Sequence, residues 1–188
     1  MRRRVVAALV AAVAVTAGGV VAAPAGAADR ALQVEQPDAC TLVPEAELEA
    51  AVGYPLEPGE QVVATDKLSG CGFQATTPSD GPDVGILVST TATGSAKRSF
   101  TVKTLERDFG KSTKVSDLGT RANAAFKQGK VPQAALLVVD GSDGVAVTLR
   151  GATAKREALA ETKAIATLVL GTLGGTAAGA STTTLVGG

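Results

Sequence analysis

Two apolar segments joined by a turn constrain this chain more than any other feature. Residues 134–139 read Ala-Ala-Leu-Leu-Val-Val and residues 144–149 read Gly-Val-Ala-Val-Thr-Leu, with Asp140, Gly141, Ser142 and Asp143 between them. Apolar and β-branched residues suit a pleated, half-buried surface. Asp, Gly and Ser reverse the chain because they tolerate turn geometry or hydrogen-bond to their own backbone. The pattern predicts a β-hairpin, and so an antiparallel sheet.

Weaker strand signals surround it. Residues 61–64, 70–75 and 122–126 are short β-type runs, and 115–119 reads as a strand end and turn. Residues 84–90 form a better strand, with Ile86 and Val88 on one face and Leu87 on the other. A loop rich in Pro, Ser, Asp and Gly covers 76–83. Three segments carry helical spacing. Within 40–53, Pro44 suits the first helical position, and Gly53 followed by Tyr54 and Pro55 forms a stop. Glu45, Glu47 and Glu49 there read as carboxylates at the positive end of a helix dipole rather than as an acidic site. Over 95–109, Val102, Leu105 and Phe109 recur at i, i+3 and i+7 beside Phe100. Over 153–173, Ala158, Thr162, Ile165 and Val169 make a stripe flanked by Leu159, Ala166, Leu170 and Leu173. The expected fold is α+β: a largely antiparallel sheet with two or three helices packed on one face.

The chain opens with Arg2, Arg3 and Arg4, then an apolar run to about Val21, then Pro24, Ala25, Gly26 and Ala27. Cations, apolar stretch and small residues in that order read as a secretory signal peptide over 1–27, cleaved before Ala28 or Asp29. A polar leader (28–37), a single α+β domain (38–173) and a flexible Gly/Ala/Thr tail (174–188) are expected to follow, in a secreted or cell-wall-associated protein. No cysteine stands at the cleavage point, so no lipid anchor is expected. No later apolar run is long and uncharged enough to suggest a transmembrane segment. In an oxidising compartment Cys40 and Cys71 read as a disulfide. The loop it closes predicts roughly 3.5–4 kcal/mol of stabilisation by chain entropy.

Composition narrows the function. All 18 acidic residues lie beyond residue 27 and three of the 18 basic residues lie before it, so the mature charge is 15 − 18 = −3. A mildly acidic chain is a poor match for nucleic acid, whose binding rests on phosphate neutralisation. Only Tyr54, Phe73, Phe100, Phe109 and Phe126 are aromatic, which leaves little for stacking on bases or sugars. No histidine is present, which removes Ser-His-Asp and Cys-His catalysis and the usual zinc sites. The nucleophile-elbow, phosphate-loop and dinucleotide motifs are missing. Asp140, Ser142 and Asp143 read as a turn rather than a calcium loop. The expectation is a non-enzymatic protein with no cofactor and no metal. One local imbalance stands out: Lys97, Arg98, Lys103, Arg107, Lys111 and Lys114 face only Glu106 and Asp108 in that stretch. It reads either as a solvated helix face or as a docking surface for an acidic partner.

Asp38-Ala39-Cys40-Thr41-Leu42-Val43-Pro44, followed by Leu48 and Gly53, resembles the opening of an actinobacterial family of secreted proteins and lipoproteins of unknown function. Gly70-Cys71-Gly72-Phe73, Asp117-Leu118-Gly119 with Ala122, the 136–147 hairpin and the Ala/Leu-rich last helix extend the resemblance over 38–173. It implies a Mog1/PsbP-like α+β sandwich and no catalytic residues. Membrane tethering, as in the lipoprotein members, is not expected here without the lipid-bearing cysteine.

These features favour a secreted or envelope binding module for an unknown protein or envelope component. A carrier of a small apolar ligand comes second, and an enzyme without histidine chemistry third. A filled core would favour the first, and an apolar cavity of a few hundred Å³ the second.

Overall fold

A computed structural model of the chain describes residues 36–77, 81–90, 100–152 and 154–174. The segment expected to be a signal peptide, the expected leader up to residue 35, the expected tail beyond Gly174, and Lys97 and Arg98 lie outside the described residues. The described elements run α1 (Glu45–Val52), β1 (Glu60–Ala64), β2 (Ser69–Phe73), β3 (Asp83–Ser89) and α2 (Val102–Phe109). They continue with β4 (Ser112–Val115), β5 (Arg121–Lys127), β6 (Gln133–Asp140), β7 (Asp143–Arg150) and α3 (Lys155–Leu173).

The strands form one seven-stranded sheet in the order β1-β2-β3-β7-β6-β5-β4, antiparallel at every step. The predicted hairpin is its centre: β6 and β7 pair from Gln133↔Arg150 to Asp140↔Asp143. The chain builds β1 to β3 as one meander and crosses to the far edge. It then returns through β4 to β7, which closes against β3 along seven paired residues from Asp83↔Arg150 to Ser89↔Gly144. That crossing carries α2 over one face of the sheet.

Both faces of the sheet are covered in part, which corrects the expectation of helices on one face only. Because side chains alternate along a strand, β6 sends Ala134, Leu136 and Val138 to one side and Ala135, Leu137 and Val139 to the other. The first side is the main core. There Val84, Ile86 and Val88 of β3 and Val145, Val147 and Leu149 of β7 meet Leu48 and Val52 of α1 and Ile165, Ala166, Val169 and Leu170 of α3. On the second side Phe100 and Leu105 pack on Ala125, Ala135 and Leu137. The apolar spacing of 102–109 locates the buried face in part: Leu105 is buried and Phe109 packs beside it, while Val102 is only half-buried and stands outside the cluster. The spacing could not say which side of a sheet apolar on both sides would receive the helix.

α2 is also shorter than expected. It begins at Val102, because Thr101 is extended (φ −113°, ψ 148°) and its side chain accepts a hydrogen bond from the Thr104 amide at 3.2 Å. That is an N-cap, the residue at which a helix begins. The structure places Pro44 at the N-cap of α1, one residue before the helical position expected for it, while Gly53 ends α1 in the left-handed region as anticipated (φ 81°). β4 lies just before the expected 115–119 strand end, where Ser112, Thr113 and Lys114 hide the strand from an apolar pattern. The turn that follows is supported by positive φ at Asp117 and Gly119.

Cys40 and Cys71 are joined by a disulfide with Cα atoms 5.0 Å apart. The bond ties the segment before α1 to the middle of β2, where Cys71 is fully buried. No helix among the described residues is long and apolar enough to cross a membrane.

Candidate functional site

The two faces of the sheet are covered unequally. On the main-core face, α3 lies along β5, β6 and β7, while α1, held by the disulfide, closes the side toward β2. On the opposite face α2 has only eight residues and reaches β4, β5 and β6. The β2–β3–β7 part of that face therefore has no helix over it among the described residues.

Register shows what lies there. Gly72, Gly85, Thr148, Ala135 and Ala125 are successive partners across five strands, and Gly70, Leu87, Ala146 and Leu137 form the neighbouring row. The first row is nearly all small, so the sheet surface is low along it. The glycines are also required by their neighbours. A Cβ on Gly85 would stand 2.5 Å from Thr148 Oγ1, and one on Gly70 would stand 3.1 Å from a Leu87 methyl. Val62 of β1, 54% exposed, leans over Gly70 and Gly72 and forms one wall. The sheet-facing side of α2 (Thr104, Leu105, Asp108 and Phe109) forms the other. The result is an apolar groove of about 270 Å³. An enclosed apolar cavity of roughly 150 Å³ already accepts a benzene-sized molecule.

Phe100 holds the wall in place. It is 1% exposed and lies over Gly144, where a Cβ would meet its ring at 2.7 Å. Gly144 thus serves the close approach of an aromatic ring as well as the hairpin turn.

The groove's polar fittings are few. Thr148 Oγ1 lies at hydrogen-bonding limit from the Gly85 carbonyl, 3.5 Å away. Asp108 receives two hydrogen bonds from Arg107, at 2.7 and 2.9 Å. Those bonds outweigh burial and hold Asp108 below the ordinary carboxylate pKa, with the Arg107 and Lys127 charges acting in the same direction. Asp108 therefore stays ionised and is not poised to exchange protons near neutral pH. Lys127 of β5 donates to the Asp108 carbonyl at 3.1 Å.

Four of the six cations singled out in the sequence are described. Lys103 and Arg107 sit one turn apart on α2, both exposed, with Arg107 engaged by Asp108. Lys111 follows the helix and Lys114 lies on the edge strand β4, also exposed. Lys127, which joins Asp108 from β5, was not singled out, because its proximity arises only from the pairing of β4 with β5 and the placement of α2. The groove itself had a faint trace in the sequence. Glycines alternate with Cys71 and Phe73 in β2, and Gly85 and Ala146 fall on the same side as Leu87.

A second cluster lies on the main-core side. Glu161 of α3 has a buried Oε2 with no hydrogen-bond partner among the described residues. Burial first, then the charge of Glu157 one turn earlier, raises its pKa above the usual glutamate value of 4.5. Burial, Glu161 and Asp83 together keep Tyr54 protonated, and its hydroxyl donates to the Pro82 carbonyl at 2.8 Å. No group of potential metal ligands occurs among the described residues. The arrangement explains a stability cost better than a reaction. The folded state binds the Glu161 proton more tightly than the unfolded chain does. Its contribution is complete below about pH 4.5 and is lost as pH rises through the raised folded value. Glu161→Gln is expected to remove this loss. Its melting temperature relative to wild type should rise between acidic and neutral pH, and a constant difference across that range would refute the assignment.

No family model, characterised protein or solved structure matches this chain.

Proposed function

We propose that this protein is a non-enzymatic binding module, exported by its N-terminal signal, that holds a small apolar ligand in the groove between α2 and the β2–β3–β7 surface. The observation that carries the reading is the groove itself. A floor of Gly, Ala and Thr lies between Val62 and the sheet-facing side of α2, enclosing about 270 Å³. That volume lies just below the roughly 300–1,000 Å³ usual for ligand pockets and suits a slender molecule. The main core, by contrast, is filled from both helices, so the ligand site is not between α3 and the sheet. The resemblance to actinobacterial envelope proteins fits a module working at the cell surface. The composition fits binding rather than catalysis: the chain has no histidine, and Asp108, the one ionisable side chain in the groove lining among the described residues, is committed to Arg107.

The neutral dye N-phenyl-1-naphthylamine tests this directly, because a chain without tryptophan contributes little background emission. Wild-type protein should enhance its fluorescence with saturable, one-to-one binding. Ala146→Phe, which fills the groove from a half-buried position opposite Leu87 and Leu137, should weaken binding at least about tenfold, the loss of ~1.4 kcal/mol of apolar contact. Thr148→Phe provides an independent block from the adjacent row. Undiminished binding in both folded variants would place the dye elsewhere and overturn the assignment.

A further inference from the structure

Resting on that reading, we infer that the groove's ligand is an amphiphile with a single slender apolar chain and one negatively charged end, the charge lying at the Asp108 end of the groove. Apart from Asp108 the lining formed by the described residues is nearly all apolar, with only the threonine hydroxyls of Thr104 and Thr148. A ligand charged along its length would be desolvated there without compensation. At the Asp108 end the situation differs. Arg107 holds the Asp108 carboxylate in a bidentate pair, and Lys127 reaches the Asp108 carbonyl. The only groove-lining carboxylate among the described residues is thus already neutralised, while Lys127 brings a further charge beside it.

The local sum has a definite sign. Around Asp108 itself the described charges are Arg107 and Lys127 against the Asp108 carboxylate, a balance of 2 − 1 = +1. The negative end of the α2 dipole subtracts about half a charge. The Asp108 end therefore remains positive by roughly half a charge, in a protein whose mature total is negative. A cationic end would meet this field with no free carboxylate among the described lining residues to offset it. A neutral end would gain little from it. An anionic end gains attraction and stays in water while its chain lies along the floor, as long charged side chains do at apolar surfaces.

The experiment uses three amphiphiles of equal chain length, decanoate, decanol and decylammonium, each kept below its aggregation range. Each displaces N-phenyl-1-naphthylamine from the folded mature protein near neutral pH. Decanoate is expected to bind about fivefold more tightly than decanol at low salt, the size of a favourable exposed ion pair. The preference should shrink as salt rises. Lys127→Glu should narrow or abolish it, read as the ratio of decanoate to decanol affinity. Equal affinities, or tighter binding of decylammonium, would overturn the anionic assignment and leave the groove reading intact. Failure of all three to displace a dye that Ala146→Phe excludes would overturn the single-chain class. Absence of dye binding to wild type would instead sink the groove reading itself.

Discussion

Replacing Phe100 with alanine is expected to destabilise the protein by roughly 3–5 kcal/mol, the usual cost of deleting a buried aromatic ring. Phe100 is 1% exposed and belongs to the smaller of the two apolar clusters, with Leu105, Ala125, Ala135 and Leu137. Gly144, Ala125 and Ala135 beneath and beside it are small, so the leucines of the cluster refill only part of the space it leaves. The ring also covers Gly144, whose missing side chain admits it. α2 is too short to be stable by itself, since isolated helices under about 12–15 residues are marginal in water. Its docking depends on Phe100 and Leu105. The variant should therefore lose dye binding well before it loses the sheet. Urea unfolding measures the first effect, and fluorescence with far-ultraviolet dichroism measures the second. A loss below about 1 kcal/mol, with the groove intact, would mean that α2 is held by something other than this cluster.

Removing the disulfide should have a comparable effect by a different route. The Cys40–Cys71 bond spans 31 positions, and chain entropy assigns such a loop roughly 3.5–4 kcal/mol. Cys71 is flanked by Gln61 and Ile86 in the sheet, and Cys40 leads into α1. Breaking the bond therefore frees the segment that places Leu42, Val43 and Leu48 in the core. The double variant Cys40→Ser, Cys71→Ala should show a fall of that order in urea, and reduction of wild type should reproduce it. Dye affinity at low denaturant should fall less than in the Phe100 variant, because α1 lies on the other side of the sheet and Cys71 is the one partner of the bond that lines the groove. A stability change within experimental error would contradict a structural role for the bond.

Much of the architecture could be read from residues 122–126, 134–139 and 144–149, since apolar runs bounded by Gly and Asp turns have few other uses. The same property concealed the arrangement of the helices. β6 is apolar at every position from Ala134 to Val139, so it offers burial on both sides and gives no preference for where α2 should go. The helix spacing of Val102, Leu105 and Phe109 was legible, but Thr101 as a cap was not. A threonine before an apolar stripe serves equally well inside a longer helix until Phe100 is seen to be anchored on Gly144. The candidate site was less legible still. It consists of what is missing, glycines and alanines where side chains would otherwise stand, and short-range patterns report side chains that are present. The charge excess around α2 was visible. Its relation to the groove was not, because Lys127 comes from a strand far along the chain and meets Asp108 only in the folded molecule.

The most direct test of a ligand groove on the β2–β3–β7 surface is amide chemical-shift mapping on nitrogen-labelled mature protein titrated with N-phenyl-1-naphthylamine. The expected perturbations centre on Val62, Gly85, Leu87, Thr104, Asp108, Ala146 and Thr148, while Leu48, Ile165 and Val169 in the main core stay in place. Shifts concentrated on α1 and α3, or scattered without regard to the sheet face, would contradict the account.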